Sequence, residues 1–308
     1  MRDFLSVADV TREELWSVLD RALQLKEEVK AGRWRTELAA KSVALLFQKP
    51  SLRTRVSFEQ GIRQLGGHSM YLSPHEVGLG ERESVPDVAR VLSRYVDCIV
   101  LRANRHSDVE QLARHATVPV VNALSDLTHP CQALADLLTI REAKGRLEGI
   151  VLAYIGDGNN VAHSLILGTA KVGAHLRVAC PAGFEPSEAI VELGRGDREA
   201  TGASFSLVRS AREAAAGADV LYTDVWTSMG QEAETEGRRR AFHSYRIDAE
   251  LLSMARSDAV VMHDLPAHRG EEIADEVIDG PQSVVFDQAE NRLHAQKGLL
   301  SMMFSDWA

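Results

Sequence analysis

Residues 42–55 read SVALLFQKPSLRTR, an apolar run that gives way to a turn and then to a helical pattern. The run Ser42–Phe47 is continuous rather than alternating, so it predicts a strand buried on both faces. Lys49-Pro50-Ser51 marks the turn, and the residues past Thr54 predict a helix. Strand, turn and helix in this order are typical of α/β folds with parallel sheets.

Similar apolar blocks recur along the chain, separated by polar or amphipathic stretches of helical length. They lie at residues 98–101, 118–121, 150–155, 176–179, 220–222, 259–262 and 283–286. A first helix is expected between Val7 and Lys30, with Thr11 as its N-cap. The pattern predicts an α/β protein with two domains, each a parallel sheet flanked by helices. We place these domains at residues 1–145 and 146–288, followed by a final segment at 289–308.

Composition excludes several classes of protein. A chain of 308 residues with 45% apolar and 26% charged residues suggests two globular domains rather than a disordered, collagen-like or coiled-coil chain. It has no apolar stretch near the ~18 residues of a membrane span and no signal-peptide core, which predicts a cytoplasmic protein. The three cysteines, with no Cys-x-x-Cys pair, predict reduced thiols rather than disulfides or a cysteine-rich zinc site.

The charge balance argues against some partners. Lys plus Arg number 35 and Asp plus Glu number 44, and the net charge of −9 disfavours nucleic acid and anionic membranes. Taken alone, it also disfavours an anionic substrate. The triplet Arg238-Arg239-Arg240 stands among glutamates, so we interpret it as a solvated surface.

Ser51-Leu52-Arg53-Thr54-Arg55 is a candidate anion site, because a helix start offers free N–H groups and arginine offers a planar fork. A helix cap flanked by surface arginines is the alternative. No Gly-Lys-Ser/Thr follows Gly61–His68, so the sequence predicts no nucleotide triphosphate site.

Other polar residues follow the predicted strands. His129 could polarise a carbonyl group and Gln132 could bind an amide-like group, although each could be structural instead. Gly156-Asp157-Gly158 resembles the start of a dinucleotide-binding unit, but Val161 replaces the third glycine and no acidic residue follows the next strand. Asp224 could bind an amino group. His263 and His268 could suggest a metal, but the other ligands are missing at recognisable spacing, so none is predicted.

Taken together, these segments resemble the aspartate and ornithine carbamoyltransferase family, and its ornithine branch in particular. The segments that carry the resemblance, in family order, are 51–55, Leu101-Arg102, His129-Pro130-Cys131-Gln132, Asp157-Gly158-Asn159-Asn160, Asp224 with Ser228-Met229-Gly230, His263-x-Leu265-Pro266 and Glu290-Asn291-Arg292. The Ser-Met-Gly segment is the one that resembles the ornithine branch. The resemblance implies transfer of the carbamoyl group of carbamoyl phosphate to the δ-amine of L-ornithine, giving L-citrulline and phosphate in arginine biosynthesis. It also implies interdomain helices, a final helix at about Ala289–Phe304 that returns to the first domain, and a homotrimer with active sites at subunit interfaces.

The resemblance also assigns roles to residues. Arg102, His129 and Thr54 are the implied catalytic residues. The residues implied to hold carbamoyl phosphate are Ser51, Leu52, Arg53, Thr54, Arg102, His129, Gln132, Asp264, Leu265 and Arg292. Those implied for ornithine are Asn160, Asp224, Ser228 and Met229. No metal or organic cofactor is expected, because fixed donors can stabilise the oxyanion and arginines the departing phosphate. The implied phosphate pocket would offset the net negative charge of the chain locally, because it would bring together Arg53, Arg55, Arg102, His129 and Arg292.

Two positions depart from the family pattern. Gly78, in the loop Pro74–Ser84 that resembles one reaching a neighbouring subunit's site, stands where Gln or His is common; Glu81 or Arg82 could supply that contact. Asp264 stands where the ornithine branch has Cys. An amine with a pKa near 10.4 is only about 0.04% neutral at pH 7, and a carboxylate about 4 Å away favours the ammonium by up to about 4 kcal/mol. We therefore expect one of four outcomes for Asp264. Its side chain is protonated, is turned away from the amine, raises the pH optimum of the reaction, or accepts the proton of the amine.

Two other functions stay open on the sequence. One is transfer to another amine such as putrescine, which the pair Asp224 and Ser228-Met229 disfavours because putrescine has no α-carboxylate. The other is a carbamoyl-phosphate-binding protein with impaired catalysis, which Asp264 and Gly78 would favour. A dehydrogenase is disfavoured by the absent ribose-binding carboxylate.

Overall fold

The computed structural model describes residues 3–228 and 230–305. Contacts between Cα atoms divide the chain into two compact units. Unit 1 runs to Leu138 and takes in the chain from Glu290 onward, and unit 2 is Thr139–Ala289. Among the described residues, no helix is both long and apolar enough to cross a membrane.

Unit 1 is built on a parallel four-stranded sheet in the order β2-β1-β3-β4. Its strands are β1 (Ser42–Phe47), β2 (His68–Leu72), β3 (Cys98–Arg102) and β4 (Val120–Leu124). Its helices are α1 (Arg12–Lys30), α2 (Leu52–Gln64), α3 (Pro74–Val77), α4 (Val85–Leu92) and α5 (His106–His115), after a 3-10 turn at Val7–Asp9. The predicted N-cap is confirmed: Thr11 accepts from the Glu14 N–H, and the Glu14 carboxylate accepts from the Thr11 N–H.

Unit 2 is built on a parallel five-stranded sheet in the order β7-β6-β5-β8-β9. Its strands are β5 (Val151–Ile155), β6 (His175–Ala179), β7 (Phe205–Val208), β8 (Val220–Thr223) and β9 (Val260–His263). Helix α6 (Pro130–Lys144) precedes β5. The other helices of unit 2 are α7 (Asn160–Val172), α8 (Glu188–Leu193), α9 (Arg195–Thr201), α10 (Ala211–Ala215), α11 (Thr235–Phe242), α12 (Ala249–Leu252) and α13 (Asp275–Ile278). Helix α14 (Val285–Phe304) begins in unit 2 and continues in unit 1. The two boundaries between the units fall inside α6 and α14.

Both sheets reverse their strand order once, and these points position the candidate site. In unit 1 the reversal lies between β1 and β3, and in unit 2 between β5 and β8. Open α/β sheets bind ligands outside the carboxyl ends of the strands at such a switch point. The loops that follow β1, β3, β5 and β8 are therefore where functional side chains are expected.

The α/β class and the two parallel sheets are confirmed, while the strand predicted at residues 283–286 is wrong. Ser283 makes only a single bridge to Val261, and α14 begins at Val285. A run of four apolar residues fits a helix start as well as a strand, and Phe286 is solvent-exposed. The sequence also missed β2 and β7, edge strands with polar residues and only partial burial.

Candidate active site

Strand β1 and helix α2 position the predicted anion-binding residues of unit 1. Ser51 is the N-cap of α2, and its hydroxyl accepts from the Thr54 N–H at 3.3 Å. Arg102 is the last residue of β3, which pairs with β1 so that Phe47 and Arg102 are partners in register. The turn after β1 and the Arg102 side chain therefore meet at one edge of the sheet.

A connected set of buried polar side chains lies at this edge. The Thr54 hydroxyl accepts from Arg292 Nη2 at 3.0 Å and from Arg102 Nη1 at 3.4 Å. Arg292 Nη1 donates to Gln132 Oε1 at 2.6 Å, and Gln132 Nε2 donates to Asp136 Oδ1 at 2.8 Å. All five side chains are buried. Each orients the next, which fixes two guanidinium groups before any ligand binds.

His129 lies buried among these cations and is held in its neutral form. Burial lowers its pKa well below the usual range, and the charges of Arg292, Arg102 and Lys49 lower it further. Burial and the Arg102 charge also lower the pKa of Lys49, against the opposing effect of Asp126. This concentration of positive charge suits a phosphate-like anion, and a neutral imidazole can donate one N–H without adding charge.

The remaining residues predicted for carbamoyl phosphate in unit 1 lie at the start of α2. Ser51 and Arg53 are half-buried, whereas the Leu52 side chain is 76% exposed. Arg55 is engaged elsewhere: its Nε donates to Glu59 at 2.9 Å and its guanidinium stacks 3.9 Å from the Tyr71 ring centre. Grouping Arg55 with the phosphate-binding cations was therefore wrong, because both of these partners are local to α2 and its neighbouring strand β2.

In unit 2, Asp224 follows β8 and is held by donors from two segments. Asp224 Oδ2 accepts from Asn159 Nδ2 at 2.7 Å, and Oδ1 accepts from the Val225 N–H at 2.7 Å. Asn159 is also the N-cap of α7, where its Oδ1 accepts from the Val161 and Ala162 N–H groups. The predicted residue Asn160 begins α7 and is half-buried.

The turn before α7 requires a glycine at position 158. A Cβ there would lie 2.2 Å from the Pro186 backbone nitrogen, a distance at which one of the two segments must move. Gly158 thus allows the loop after β5 to pass directly against the loop containing Pro186, which places Asn159 at the cap.

Asp264 follows β9 and lies beside Asp224. These two carboxyl groups and His263 offer atoms that all lie within 4.8 Å of one another. Burial raises the pKa of Asp224 well above its usual range, and Asp264 raises it further by its charge and by a hydrogen bond, against the effects of His263 and Asn159. Two carboxylates within 4.8 Å of each other repel by about 3 kcal/mol or more at an effective dielectric near 20. The pair therefore favours a state that holds one proton.

His263 has both ring nitrogens occupied. Nε2 lies 3.0 Å from Glu272 Oε1, and Nδ1 accepts from the Leu265 N–H at 2.9 Å. Burial lowers the pKa of His263, whereas hydrogen bonds with Asp264 and Glu272 raise it, to about 9. A proton on Nδ1 would displace the Leu265 N–H, which is closer than the Asp264 oxygen at 3.5 Å. With Glu272 at Nε2 and the Leu265 N–H at Nδ1, both ring nitrogens are engaged within the protein, so His263 is not placed to bind a metal ion.

The other predicted residues of unit 2 lie in the loops after β8 and β9. Leu265 has a φ of +59°, uncommon for a residue with a side chain, and precedes a cis Leu265–Pro266 bond. Ser228 is half-buried, and its N–H donates to Gln231 Oε1 at 3.0 Å. Met229, predicted to bind ornithine, lies outside the described residues.

Arg238 corrects the surface interpretation of the arginine triplet. Its side chain is buried, Nη1 donates to Asp157 Oδ2 at 2.7 Å and to the Trp226 carbonyl at 3.0 Å, and Nε donates to Glu234. Arg239 and Arg240 are exposed as predicted. Since Asp157 follows β5 and Trp226 follows Asp224, Arg238 ties together the two loops that carry Asn159 and Asp224.

Sequence reasoning missed several residues that the structure places in these networks: Lys49, Asp136, Asn159, Arg238 and Glu272. Two had a readable signal. Asn159 occupies the position of an N-cap before an apolar helix, and Asp136 stands four residues after Gln132, on the same helix face. The partners of Lys49, Arg238 and Glu272 come from other elements, so no local pattern marks them.

Gly78, the first departure from the family pattern, has a structural reason in this chain. It ends α3 with a φ of +58°, and a Cβ at this position would lie 2.7 Å from Arg82 Cβ. Arg82 Nη1 in turn donates to the Glu76 carbonyl at 3.1 Å. A side chain at position 78 would thus require the loop to change shape.

Comparison with known proteins assigns both halves of the chain. Residues 2–142 match the family model described as aspartate/ornithine carbamoyltransferase, carbamoyl-P binding domain. Residues 148–303 match the one described as aspartate/ornithine carbamoyltransferase, Asp/Orn binding domain.

The chain belongs to the aspartate/ornithine carbamoyltransferase family.

Relatives that this chain matches over nearly their whole length are identical to it at about half of the aligned positions. It is 56% identical over 303 residues to the ornithine carbamoyltransferase of Acidothermus cellulolyticus, covering 98% of this chain and 96% of that protein. It is 51% identical over 302 residues to the anabolic ornithine carbamoyltransferase of Pyrococcus furiosus, with 98% and 96% covered. The solved structure of ornithine carbamoyltransferase from Pyrococcus furiosus has a TM-score of 0.97 at 50% identity and covers 100% of this chain and 98% of that one.

Proposed function

We propose that this carbamoyltransferase transfers the carbamoyl group of carbamoyl phosphate to the δ-amine of L-ornithine, giving L-citrulline and phosphate. The observation that carries the proposal is the buried set Thr54, Arg102, Gln132 and Arg292 around a neutral His129 in the unit that matches a carbamoyl-phosphate-binding domain. Relatives at 51% and 56% identity that bear the name ornithine carbamoyltransferase support ornithine as the acceptor.

The reaction needs two kinds of electrostatic help, and unit 1 offers both. Attack on the carbamoyl carbon places negative charge on its carbonyl oxygen, which Arg102 and the His129 N–H stabilise as fixed donors. The bond to phosphate oxygen then breaks, and Ser51, Arg53 and Thr54 bind the phosphate as it leaves. Arg292 orients Gln132 toward the carbamoyl group through its 2.6 Å hydrogen bond. Preformed hydrogen bonds lower the cost of ordering these donors during the reaction.

Unit 2 binds ornithine in this proposal. Asp224 pairs with an ammonium group, and Asn160, Ser228 and Met229 are the other residues assigned to ornithine. Asn159 holds Asp224 in place through its 2.7 Å hydrogen bond. A substrate with an α-carboxylate uses these polar groups, whereas putrescine leaves them without a partner.

A citrulline assay tests the activity directly. With carbamoyl phosphate, the enzyme is expected to form citrulline from L-ornithine and little N-carbamoylputrescine from putrescine between pH 6 and 10. The opposite preference would assign the putrescine reaction. Calorimetric binding of carbamoyl phosphate without turnover at any pH would instead identify a binding protein.

The direction and setting of the reaction are part of the same proposal. The word anabolic in the name of the Pyrococcus furiosus relative supports citrulline formation for arginine biosynthesis. Cytoplasmic location is consistent with three buried, free cysteines. Deletion of the gene in its host is expected to cause arginine auxotrophy that citrulline relieves; growth without either supplement would contradict a biosynthetic role.

The proposed assembly is a homotrimer with active sites at subunit interfaces. An exposed apolar patch on unit 1 supports self-association: Leu52 and Val56 lie one turn apart on α2 and are 76% and 51% exposed, and Met70 on the edge strand β2 is 40% exposed. Analytical ultracentrifugation is expected to show a trimer that Val56→Asp dissociates. A monomeric wild-type enzyme with full activity would refute both the trimer and the shared site.

A further inference from the structure

Three side chains with metal-binding atoms cluster in the loop that follows β9. His268, Glu271 and Glu272 each offer one ligand atom, and these atoms all lie within 4.8 Å of one another. The sequence pattern showed no further ligands for His268 at a recognisable spacing, whereas the folded loop brings two carboxylates beside it. An imidazole and carboxylate oxygens are donors that zinc binds in proteins.

Glu272 carries the buried carboxylate of this cluster, and one of its oxygens is unused. The side chain is fully buried. Its Oε1 accepts from the His268 N–H at 2.5 Å and lies 3.0 Å from His263 Nε2. Its Oε2 is buried as well and has no hydrogen-bond partner among the residues that the structure describes. A buried carboxylate oxygen in this state is unfavourable unless a donor or a cation satisfies it.

The other two ligands lie where solvent can deliver an ion. His268 is exposed. Glu271 is 25% exposed, and its Oε1 accepts from Arg239 Nη2 at 2.6 Å, which leaves Oε2 available. The arginine of the same loop, Arg269, forms its ion pair with Asp279 instead. The positive charges nearby therefore hold the loop without neutralising Glu272.

Backbone hydrogen bonds hold the three ligands in place before any ion binds. The Glu271 N–H donates to the His268 carbonyl at 2.9 Å, which closes a turn between two of the ligands. The Glu272 carbonyl accepts from the Ile247 N–H at 2.9 Å, and the Ile247 carbonyl accepts from the Ala274 N–H at 2.9 Å. The loop is thus anchored on both sides of Ile273, and little ordering remains to be done on binding.

We propose that His268, Glu271 and Glu272 bind one divalent metal ion, with zinc as the ion that suits these ligands. An imidazole nitrogen and two carboxylate oxygens coordinate it, and water completes the coordination. Zinc–ligand bonds of about 2.0–2.2 Å place tetrahedral ligands about 3.3–3.6 Å apart, so side-chain movements of roughly 1 Å close the site. The ion satisfies Glu272 Oε2 and neutralises two adjacent carboxylates. None of the three residues is assigned to carbamoyl phosphate or to ornithine.

The role of the ion is to hold the shape of the loop. Glu272 Oε1 contacts His263 Nε2, and His263 Nδ1 accepts from the Leu265 N–H. A metal ion on Oε2 fixes the Glu272 carboxylate and, through His263, the start of the loop after β9. Because an ion that binds only the folded chain stabilises it, zinc should raise the stability of the protein.

Equilibrium dialysis of the EDTA-treated enzyme against ZnCl2 at neutral pH tests the site. The wild type is expected to bind one zinc ion per chain. Loss of an outer-shell partner already weakens metal binding about 10–100-fold, so His268→Gln and Glu271→Gln should each weaken it by at least about tenfold. Neither position is buried, so both variants should fold. His243→Gln, which removes another exposed histidine of unit 2, is the matched control and should bind zinc as the wild type does.

Urea unfolding with and without ZnCl2 gives a second readout. Zinc is expected to raise the midpoint of the wild type and of His243→Gln but not that of His268→Gln. Absence of zinc binding by the wild type would overturn the inference. So would binding that Asp264→Asn abolishes and His268→Gln retains, because the ion would then lie at Asp224 and Asp264. Neither measurement uses citrulline formation, so failure of the metal site is distinguishable from failure of the proposed function.

Discussion

Arg238 and Asp157 form a buried ion pair between residues 81 positions apart in the chain, with Arg238 Nη1 at 2.7 Å from Asp157 Oδ2. The same nitrogen also donates to the Trp226 carbonyl. One guanidinium therefore fixes the loop after β5 relative to the loop after β8, and these two loops carry Asn159 and Asp224.

Loss of this pair should be costly. Breaking a buried ion pair by removing one partner typically costs about 3–5 kcal/mol, because the other charge stays buried. Arg238→Met is expected to lower the free energy of unfolding by about that amount and to raise KM for ornithine more than it lowers kcat. Urea unfolding and steady-state kinetics measure both. The exposed neighbour variant Arg239→Met is the control, and a double-mutant cycle with Asp157→Asn should show strong coupling; additive effects would contradict the pair.

His129 should act as a neutral donor across the physiological pH range. Burial and the neighbouring cations Arg292, Arg102 and Lys49 lower its pKa well below the usual range, so the ring should be uncharged at neutral pH. Nitrogen-15 NMR of labelled histidine is expected to show His129 in its neutral form at pH 6.5, where an ordinary histidine is half protonated. His129→Gln keeps a neutral N–H donor and should retain more activity than His129→Ala, which is expected to lose roughly 100-fold or more in kcat. Equal losses would argue that His129 only fills space.

Arg292 should not be replaceable by lysine. Its two terminal nitrogens donate to Gln132 and to Thr54, a geometry that an ammonium does not reproduce. Hydrogen bonds to charged groups contribute about 1.5–3 kcal/mol, so Arg292→Lys is expected to weaken carbamoyl phosphate binding roughly ten- to hundredfold. Isothermal titration with carbamoyl phosphate measures this, with the exposed variant Arg63→Lys as control. An unchanged affinity for carbamoyl phosphate would show that Arg292 does not contribute to the anion site.

Lys297 should make stability depend on alkaline pH. Burial lowers its pKa from 10.5 to about 8, against the opposing charges of Glu28 and Glu290. Between about pH 8 and 10.5 the unfolded chain therefore binds more protons at this residue, so its contribution to the free energy of unfolding rises with pH. The wild type should gain at most about 3 kcal/mol relative to Lys297→Met over this window. Urea unfolding at pH 7, 8.5 and 10 measures the difference in the free energy of unfolding between the two proteins. A difference that does not change with pH would contradict a lowered pKa for Lys297.

Much of the fold could be predicted because its central strands are continuous apolar runs, as Leu45 and Leu46 in β1 illustrate. The edge strands β2 and β7 were not predicted. Each pairs with another strand along one edge only, so it tolerates polar residues such as Ser206. The predicted strand at residues 283–286 failed because so short a run fits either a strand or a helix start.

Site residues were predictable where they directly follow a buried strand, as Asp224 does. The contacts between site residues were not predictable, because they depend on which strands become neighbours in the sheet. The adjacency of β8 and β9 brings Asp264 to Asp224, and the path of α11 brings Arg238 to Asp157. A sequence pattern shows the local element of each residue, whereas partners far along the chain appear only once the sheet order is known.

Unit 1 takes residues from both ends of the chain, and this has a consequence for its synthesis. A ribosome makes Arg292 160 residues after Gln132, the side chain that it orients. Until that point Gln132 and Thr54 lack their shared guanidinium, even though every strand of the unit 1 sheet has already been made. The anion site is thus a property of the finished chain, and phosphate affinity should appear only in nascent chains long enough to release α14 from the ribosomal tunnel.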